Sequence, residues 1–236
     1  MGNKYSTTAK LINRVVYNEK YIQCTFELLE PFHQQVLAGQ YVSFRVGEKK
    51  EIRSYSICST PSDAKSFDLM VDITPQGIGT TFLQNAEIGT QVDLLGPLGR
   101  FTLSEGIENK GVFLIGTGSG VAPLRAMALD LLKNRKTTSQ VTLMWGERFS
   151  KNFIWQEELK ALENEFSNFK FIPVISRPEE TDQCEKGRVT GCIDAMNLVA
   201  DTEYYLCGGK AMIEETTGIL QTKWVDKAVI FHEKFD

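Results

Sequence analysis

The chain has 236 residues, 42% of them hydrophobic, which is enough apolar material for two modest domains or one large one. Its net charge of −4 comes from interleaved acidic and basic residues, so no basic stripe suits nucleic acid, and no apolar run approaches the roughly 18 residues of a membrane-spanning helix. Five cysteines (Cys24, Cys58, Cys184, Cys192 and Cys207) are scattered without a Cys-x-x-Cys pair and only two histidines occur, which argues against a disulfide framework, an iron–sulfur cluster or a zinc site, so no metal is expected, and fits a reducing cytoplasm.

The first residues are polar and carry no apolar signal core. Met-Gly-Asn-Lys-Tyr-Ser fits a short myristoylation pattern through Gly2 and Ser6, a match too brief to separate from chance, and no lipidation is expected from it. From Ala9 to about Leu95, β-branched and aromatic residues concentrate in short stretches at 11–17, 22–29, 41–46, 52–58, 67–73 and 91–95. Turn residues separate them: Asn18-Glu19-Lys20, Ala38-Gly39-Gln40, Gly47-Glu48, Thr60-Pro61-Ser62-Asp63, Gly89-Thr90 and Gly96-Pro97. Six strands at this spacing predict an antiparallel barrel, interrupted by one short helix over 79–86.

Two stretches in this half carry chemistry. In Arg53-Ser54-Tyr55-Ser56, strand alternation puts Arg53 and Tyr55 on one side and the two serines on the other. A guanidinium fork suits a phosphate, and a tyrosine offers a ring face and a hydroxyl; the same pattern also suits a plain barrel strand. In Pro75-Gln76-Gly77-Ile78-Gly79-Thr80-Thr81, glycines precede a helix whose first turn holds two hydroxyls, which is either a phosphate-friendly N-terminus or ordinary helix capping.

Residues 102–110 are polar around one Leu and one Ile, and a domain boundary is expected near Glu105, giving units 1–105 and 106–236. Beyond it strands (111–115, 141–145, 169–175, 203–207, 228–231) alternate with helices (121–133, 154–166, a short one near 193–199, 210–224). This βαβ pattern predicts a parallel sheet with helices on both faces, whose ligands sit at the carboxyl ends of the strands. The sharpest signal is there: an apolar run ending at Ile115 meets Gly116-Thr117-Gly118-Ser119-Gly120, followed by Pro123 in the first turn of a helix. This Gly-x-Gly-x-Gly, unlike Gly-x-Gly-x-x-Gly, has Val at position 121, yet it offers the same close backbone approach and free N–H groups to a phosphate. Other strand ends carry Glu147, Ser176-Arg177 with Arg188, and Cys207-Gly208-Gly209. Glu147 suits a ribose hydroxyl or a solvated loop position, and the two arginines are otherwise solvated loop charges.

Arg53-Ser-Tyr-Ser56, Gly77-Ile-Gly-Thr80, Gly96-Pro-Leu-Gly-Arg-Phe101, Gly116–Pro123 and Cys207-Gly-Gly209, in this order, resemble the ferredoxin–NADP reductase family of flavoproteins across nearly the whole chain. The resemblance implies a flavin-binding barrel followed by a nicotinamide-nucleotide domain, with FAD between them. It implies that Arg53 meets the flavin's phosphates, that Tyr55 lies against the isoalloxazine and that Ser56 sits where hydride arrives. Gly77, Gly79 and Thr80 would wrap the pyrophosphate, and Val71 and Ile73 would pass the flavin along a strand edge. Relatives often carry a basic residue where this chain has Ile73, so only backbone contact is implied there, and FMN stays open as an alternative.

On the nucleotide side the resemblance implies Gly116, Thr117, Gly118, Pro123 and Gly208 against NADPH or NADH, with Cys207 near the carbon that carries the hydride. Ser176, Arg177 and Arg188 would meet the adenosine ribose, where a hydroxyl and guanidinium groups favour the 2′-phosphate of NADPH. Glu233 matches an acidic residue close to the flavin. Plant relatives end in an aromatic residue that shields the flavin; with Phe235-Asp236 here, that role is not carried over. The implied activity is an NAD(P)H-dependent reductase passing electrons to a protein such as ferredoxin or flavodoxin. A reductase of free flavins, an electron-transfer subunit of an oxygenase or dehydrogenase, and a regulatory nucleotide-binding protein are the alternatives.

Overall fold

Alternating burial along residues 6–28 starts the first sheet. In β1 (Ser6–Val16) Thr7, Ala9 and Leu11 point inward, and in β2 (Tyr21–Leu28) Ile22, Cys24 and Phe26 do the same. The computed structural model describes residues 6–47, 51–60, 65–180, 182 and 184–235. The Gly2 motif, Glu48, the Pro61-Ser62-Asp63 turn and Asp236 lie outside the described residues.

β3 (Tyr41–Val46), β4 (Glu51–Ser56), β5 (Ser66–Asp72) and β6 (Gln91–Leu98) complete an antiparallel sheet of order β4-β3-β6-β1-β2-β5. An antiparallel bridge between Ile57 and Leu69 brings its two ends together, curling the sheet into a barrel. Phe26 anchors the core, its ring centroid 5.3 Å from that of Phe44 and 5.5 Å from that of Phe67. α1 (Ile78–Asn85) turns Leu83 into this core.

β1 begins earlier than its β-branched content suggests, because Ser6 to Lys10 pair with β6. β6 runs on through Gly96-Pro97, read from sequence as a turn, because Leu98 still pairs with Tyr41.

The second sheet is parallel throughout, of order β10-β9-β8-β7-β11-β12, from β7 (Gly111–Thr117), β8 (Val141–Glu147), β9 (Phe169–Ile175), β10 (Glu185–Lys186), β11 (Thr202–Gly208) and β12 (Ile230–Lys234). α2 (Val121–Leu129), α3 (Gln156–Glu165), α4 (Val189–Ala195) and α5 (Lys210–Thr222) connect them. α2 passes into a wider turn over Asp130–Asn134, where Asp130 accepts bonds from Asn134 and Arg135, both at 2.8 Å.

α4 starts four residues before its expected position. Val189 and Ile193, one helical turn apart, fill the space beside Met144 and Val174. β12 is shifted the other way, toward the chain's end. Its pairing with β11 matches Tyr204 to Ile230 and so carries Glu233 opposite Cys207.

The two sheets share a core. Tyr21, Cys58 and Met70 of the barrel pack into the same cluster as Val121, Met127 and Trp145 of the second unit. Gly39 is needed at this seam: its φ is +98°, and a Cβ there would overlap the Phe101 carbonyl oxygen.

Candidate active site

A cavity of about 510 Å³ opens between the units. β4, at the edge of the barrel, supplies Ser54, Tyr55 and Ser56; β5 supplies Met70 and Asp72; the glycine turn supplies Ser119, α2 supplies Ala122, and the end of the chain supplies Glu233 and Phe235. Ser56 is buried, and Ser54 Oγ lies 2.8 Å from Ser43 Oγ, which fixes the rotamer of a side chain on the cavity wall. Burial pushes the Tyr55 phenol up to about 12, with Arg53 opposing, so it stays a hydrogen-bond donor at neutral pH.

Arg53 is half free. Its Nη1 donates to the Ile52 carbonyl at 2.8 Å, and Nη2 is 3.5 Å from Glu51, a solvent-exposed pair that contributes little. Beside it begins α1, whose N-cap Gly77 makes no side-chain cap, leaving first-turn N–H groups for a ligand. A Cβ on Gly79 would overlap the Tyr55 hydroxyl and stand 2.9 Å from Arg53 Cγ, so glycine is what allows helix, arginine and tyrosine to meet. Thr80 Oγ1 donates back to the Gly77 carbonyl at 2.8 Å, closing the turn.

At the opposite wall Glu233 Oε2 is buried without a hydrogen-bond partner, and burial pushes this carboxyl up to about 7. Cys207 beside it is fully buried, and its thiol is pushed up by burial and then by Glu233, so it holds its proton. The Cys207 carbonyl oxygen presses on Gly120, where any Cβ would overlap it. Gly208, at φ +147°, likewise leaves no room for a Cβ against Thr117 Oγ1.

A second cavity, about 420 Å³, lies on the far side of the glycine turn. Thr117, Gly118, Gly146, Arg148, Ser176, Arg188, Met212 and Glu215 line it, with Lys20 reaching in from the barrel. α2 also starts without a side-chain cap, at Gly120. Gly116 and Pro123 support this turn from within: a Cβ on Gly116 would stand 2.9 Å from Leu124 Cδ1, and Pro123 is buried in the first turn of α2. The turn is therefore a wall common to both cavities, with Thr117 and Gly118 facing one and Ser119 facing the other.

Not every expected residue gathers here. Arg177 is exposed and is not among the residues lining the second cavity, although its amide donates to the Arg148 carbonyl at 3.0 Å. The side chains of Val71 and Ile73 pack with the barrel core, which bears on their side chains and not on the backbone contact expected of them, while their neighbours Met70 and Asp72 line the first cavity, a face that strand alternation could have indicated. Glu147 is neither a solvated loop charge nor free to take a ribose. It is 5% exposed and bonded to Lys20, Tyr21 and Asn152.

Phe235, to which the sequence reading gave no role, lines the first cavity while its amide donates to the Gly208 carbonyl at 3.0 Å. Among the described residues no group of three His, Cys, Asp or Glu is placed to hold a metal, and no helix is long and apolar enough to cross a membrane. A flavin dinucleotide fits the residues present. An aromatic and hydroxyl-lined cavity adjoins an arginine and an uncapped helix start for phosphates, and the buried Glu233 Oε2 has no protein hydrogen-bond partner.

Two family models match the chain: the oxidoreductase FAD-binding domain over residues 8–103 and the oxidoreductase NAD-binding domain over residues 114–217. The reductase component of propane 2-monooxygenase from Mycolicibacterium goodii is 29% identical over 217 residues, 88% of this chain and 61% of that protein. The toluate 1,2-dioxygenase electron transfer component from Pseudomonas putida is 28% identical over 201 residues, 84% of this chain and 58% of that protein. The chain thus spans about three fifths of the length of these relatives. Among solved structures, the cytochrome P450 reductase GcoB of Amycolatopsis superposes with a TM-score of 0.89 at 27% identity, covering 98% of this chain and 69% of that one.

Proposed function

Since this chain belongs to the ferredoxin reductase-like flavoproteins that join an FAD-binding to an NAD-binding oxidoreductase domain, we propose that it is an NAD(P)H-dependent reductase, preferring NADPH, that hands electrons to a protein carrier such as ferredoxin or flavodoxin. The flavin unit is residues 1–105 and the nucleotide unit 106–236. The observation that carries this reading is the shared wall: one glycine turn, Thr117 to Gly120, borders both cavities, so a dinucleotide laid over that turn can keep its adenosine end in the second cavity and bring its nicotinamide end to a flavin in the first.

FAD, when bound, supplies the conversion of a two-electron hydride into single electrons. The chain's own residues bind and orient. Arg53 and the α1 start, with Gly77, Gly79 and Thr80, would hold the pyrophosphate; Tyr55 would present its ring and hydroxyl, and Ser56 would offer a hydroxyl to the flavin. Thr117, Gly118 and Gly208 let the nicotinamide end approach, and buried Cys207 supports that end without acting as a thiolate. Glu233, protonated up to about neutral pH, can hold or release a proton at the cavity wall. The NADPH preference is supported by Ser176 and Arg188 on the second cavity and by the pairing of Glu147 with Lys20, which offsets that carboxylate's charge beside the cavity. The five unpaired thiols are in keeping with a reducing cytoplasm.

An anaerobic visible spectrum tests this directly. The purified protein should show flavin absorption that bleaches with NADPH at lower concentration than with NADH. Preference for NADH would remove the 2′-phosphate assignment, and failure to take up FAD would remove the reading itself.

A second reading is favoured by the monooxygenase and dioxygenase names of the relatives: the acceptor is an oxygenase component. Reduction of an added ferredoxin at many turnovers per minute would favour the carrier, whereas turnover seen only with a co-purified oxygenase would favour this second reading. The segment Gly77 to Thr80 supports tightly held FAD over a reductase of free flavins, and colour retained through gel filtration is the check.

A further inference from the structure

Glu147 ends β8, and its carboxylate is bonded mainly to the other unit. Lys20 Nζ donates to Oε1 at 3.1 Å and to Oε2 at 2.8 Å, and the Tyr21 hydroxyl donates to Oε1. From its own unit it receives a longer bond, Asn152 Nδ2 to Oε2 at 3.3 Å. Asp72 stands 3.9 Å from the same ammonium, and Arg148 lines the adjoining cavity.

The hairpin bearing Lys20 and Tyr21 is braced on both sides. Asn18 Oδ1 accepts the Lys20 amide at 2.9 Å and the Tyr21 amide at 2.8 Å, while Asn18 Nδ2 donates across the boundary to the Lys151 carbonyl at 2.9 Å. The Lys20 carbonyl accepts the Ile73 amide at 2.8 Å, and Tyr21 pairs with Asp72, which lines the flavin cavity. On the nucleotide side Gly146, next to Glu147, pairs with Thr117 at the entry to the glycine turn. One carboxylate therefore links the strand end bordering the first cavity to the strand end bordering the second.

We propose that Glu147 is a positioning residue for hydride transfer: by gripping Lys20 and Tyr21 it sets the spacing between the flavin cavity and the nucleotide cavity. The proposal rests on the reductase reading above. Hydride transfer needs the reacting atoms within van der Waals range, and a displacement of ~1 Å costs on the order of 100-fold in rate. Charge-assisted bonds from two donors fix both distance and direction, which a purely apolar seam does not. A separate joint keeps the units together when this one is cut. Arg125 stacks on Trp155 at 4.5 Å and donates to the Cys58 carbonyl at 2.6 Å, and Trp155 Nε1 donates to Gln23 Oε1 at 3.2 Å.

The test is rapid-mixing reduction of the FAD-loaded Glu147→Gln variant, with nucleotide affinity titrated separately and backbone amide exchange followed by mass spectrometry. The limiting rate of flavin bleaching should fall about 10- to 100-fold while nucleotide Kd changes by less than about 3-fold. Amide exchange should quicken in the hairpin at 17–21 and in the turn at 117–120. Tyr21→Phe, which keeps the ring, should lose less in the same direction. A raised Kd with an unchanged limiting rate would overturn the proposal by making Glu147 a binding residue. An unchanged rate and Kd with only a lower melting temperature would overturn it by leaving a brace. The unmodified chain is measured first: if neither NADPH nor NADH bleaches its flavin, the reductase reading fails, and the exchange data still report whether Glu147 couples hairpin to turn.

Discussion

Cys207 and Glu233 face each other across the β11–β12 ladder; burial keeps the thiol protonated and pushes the carboxyl up to about 7. The Cys207 carbonyl rests against Gly120, so this pair connects the wall of the flavin cavity to the glycine turn. A carboxyl held this way gives the protein a pH dependence of definite sign.

Burial raises the Glu233 pKa from 4.5 to about 7. Between those values the unfolded chain has released this proton and the folded chain has kept it, so folded stability falls as pH rises through that window and levels off above it. The melting temperature of the native protein should therefore drop between pH 5 and pH 7 by more than that of Glu233→Gln. Equal slopes for the two proteins would remove Glu233 as the source.

Arg53→Ala should weaken FAD retention by roughly 10- to 100-fold, the scale of a charge-assisted phosphate contact. Gly79→Ala should do the same through shape, because its methyl group would displace the Tyr55 hydroxyl. Flavin released per mole of protein on dialysis, with circular dichroism as a control for folding, measures both.

Arg188→Ala should raise the Km for NADPH about 10-fold and leave that for NADH within about 2-fold, because a lost guanidinium matters only where a 2′-phosphate is present. Arg177→Ala should change either Km less than Arg188→Ala does, since of these two exposed arginines only Arg188 lines the cavity. Steady-state rates with each nucleotide decide this.

Gly208→Ala should destabilise the protein by about 1–3 kcal/mol, combining a left-sided backbone at φ +147° with a methyl group driven onto Thr117 Oγ1. Thermal unfolding should show the loss, and a variant as stable as the parent would mean that the strand end relaxes freely.

The architecture and the glycine-rich turns were legible from local pattern. Strand alternation, βαβ spacing and the glycines at 77–79 and 116–120 are local signals, because side-chain period and backbone freedom act over a few residues. Element ends were less legible: β6 passes through Gly96-Pro97 and α4 begins at Val189, since pairing with Tyr41 and packing beside Met144 outweigh the local turn and helix signals. Which residues meet across the boundary depends on long-range packing. Glu147 and Lys20 are 127 positions apart, and nothing local marks one as the other's partner. Glu233 reaches Cys207 only through the β11–β12 register, and Phe235 joins the flavin cavity by the same pairing. Such contacts follow from how two separately patterned cores merge at Tyr21, Met70 and Trp145, where long-range packing rather than local preference sets the geometry.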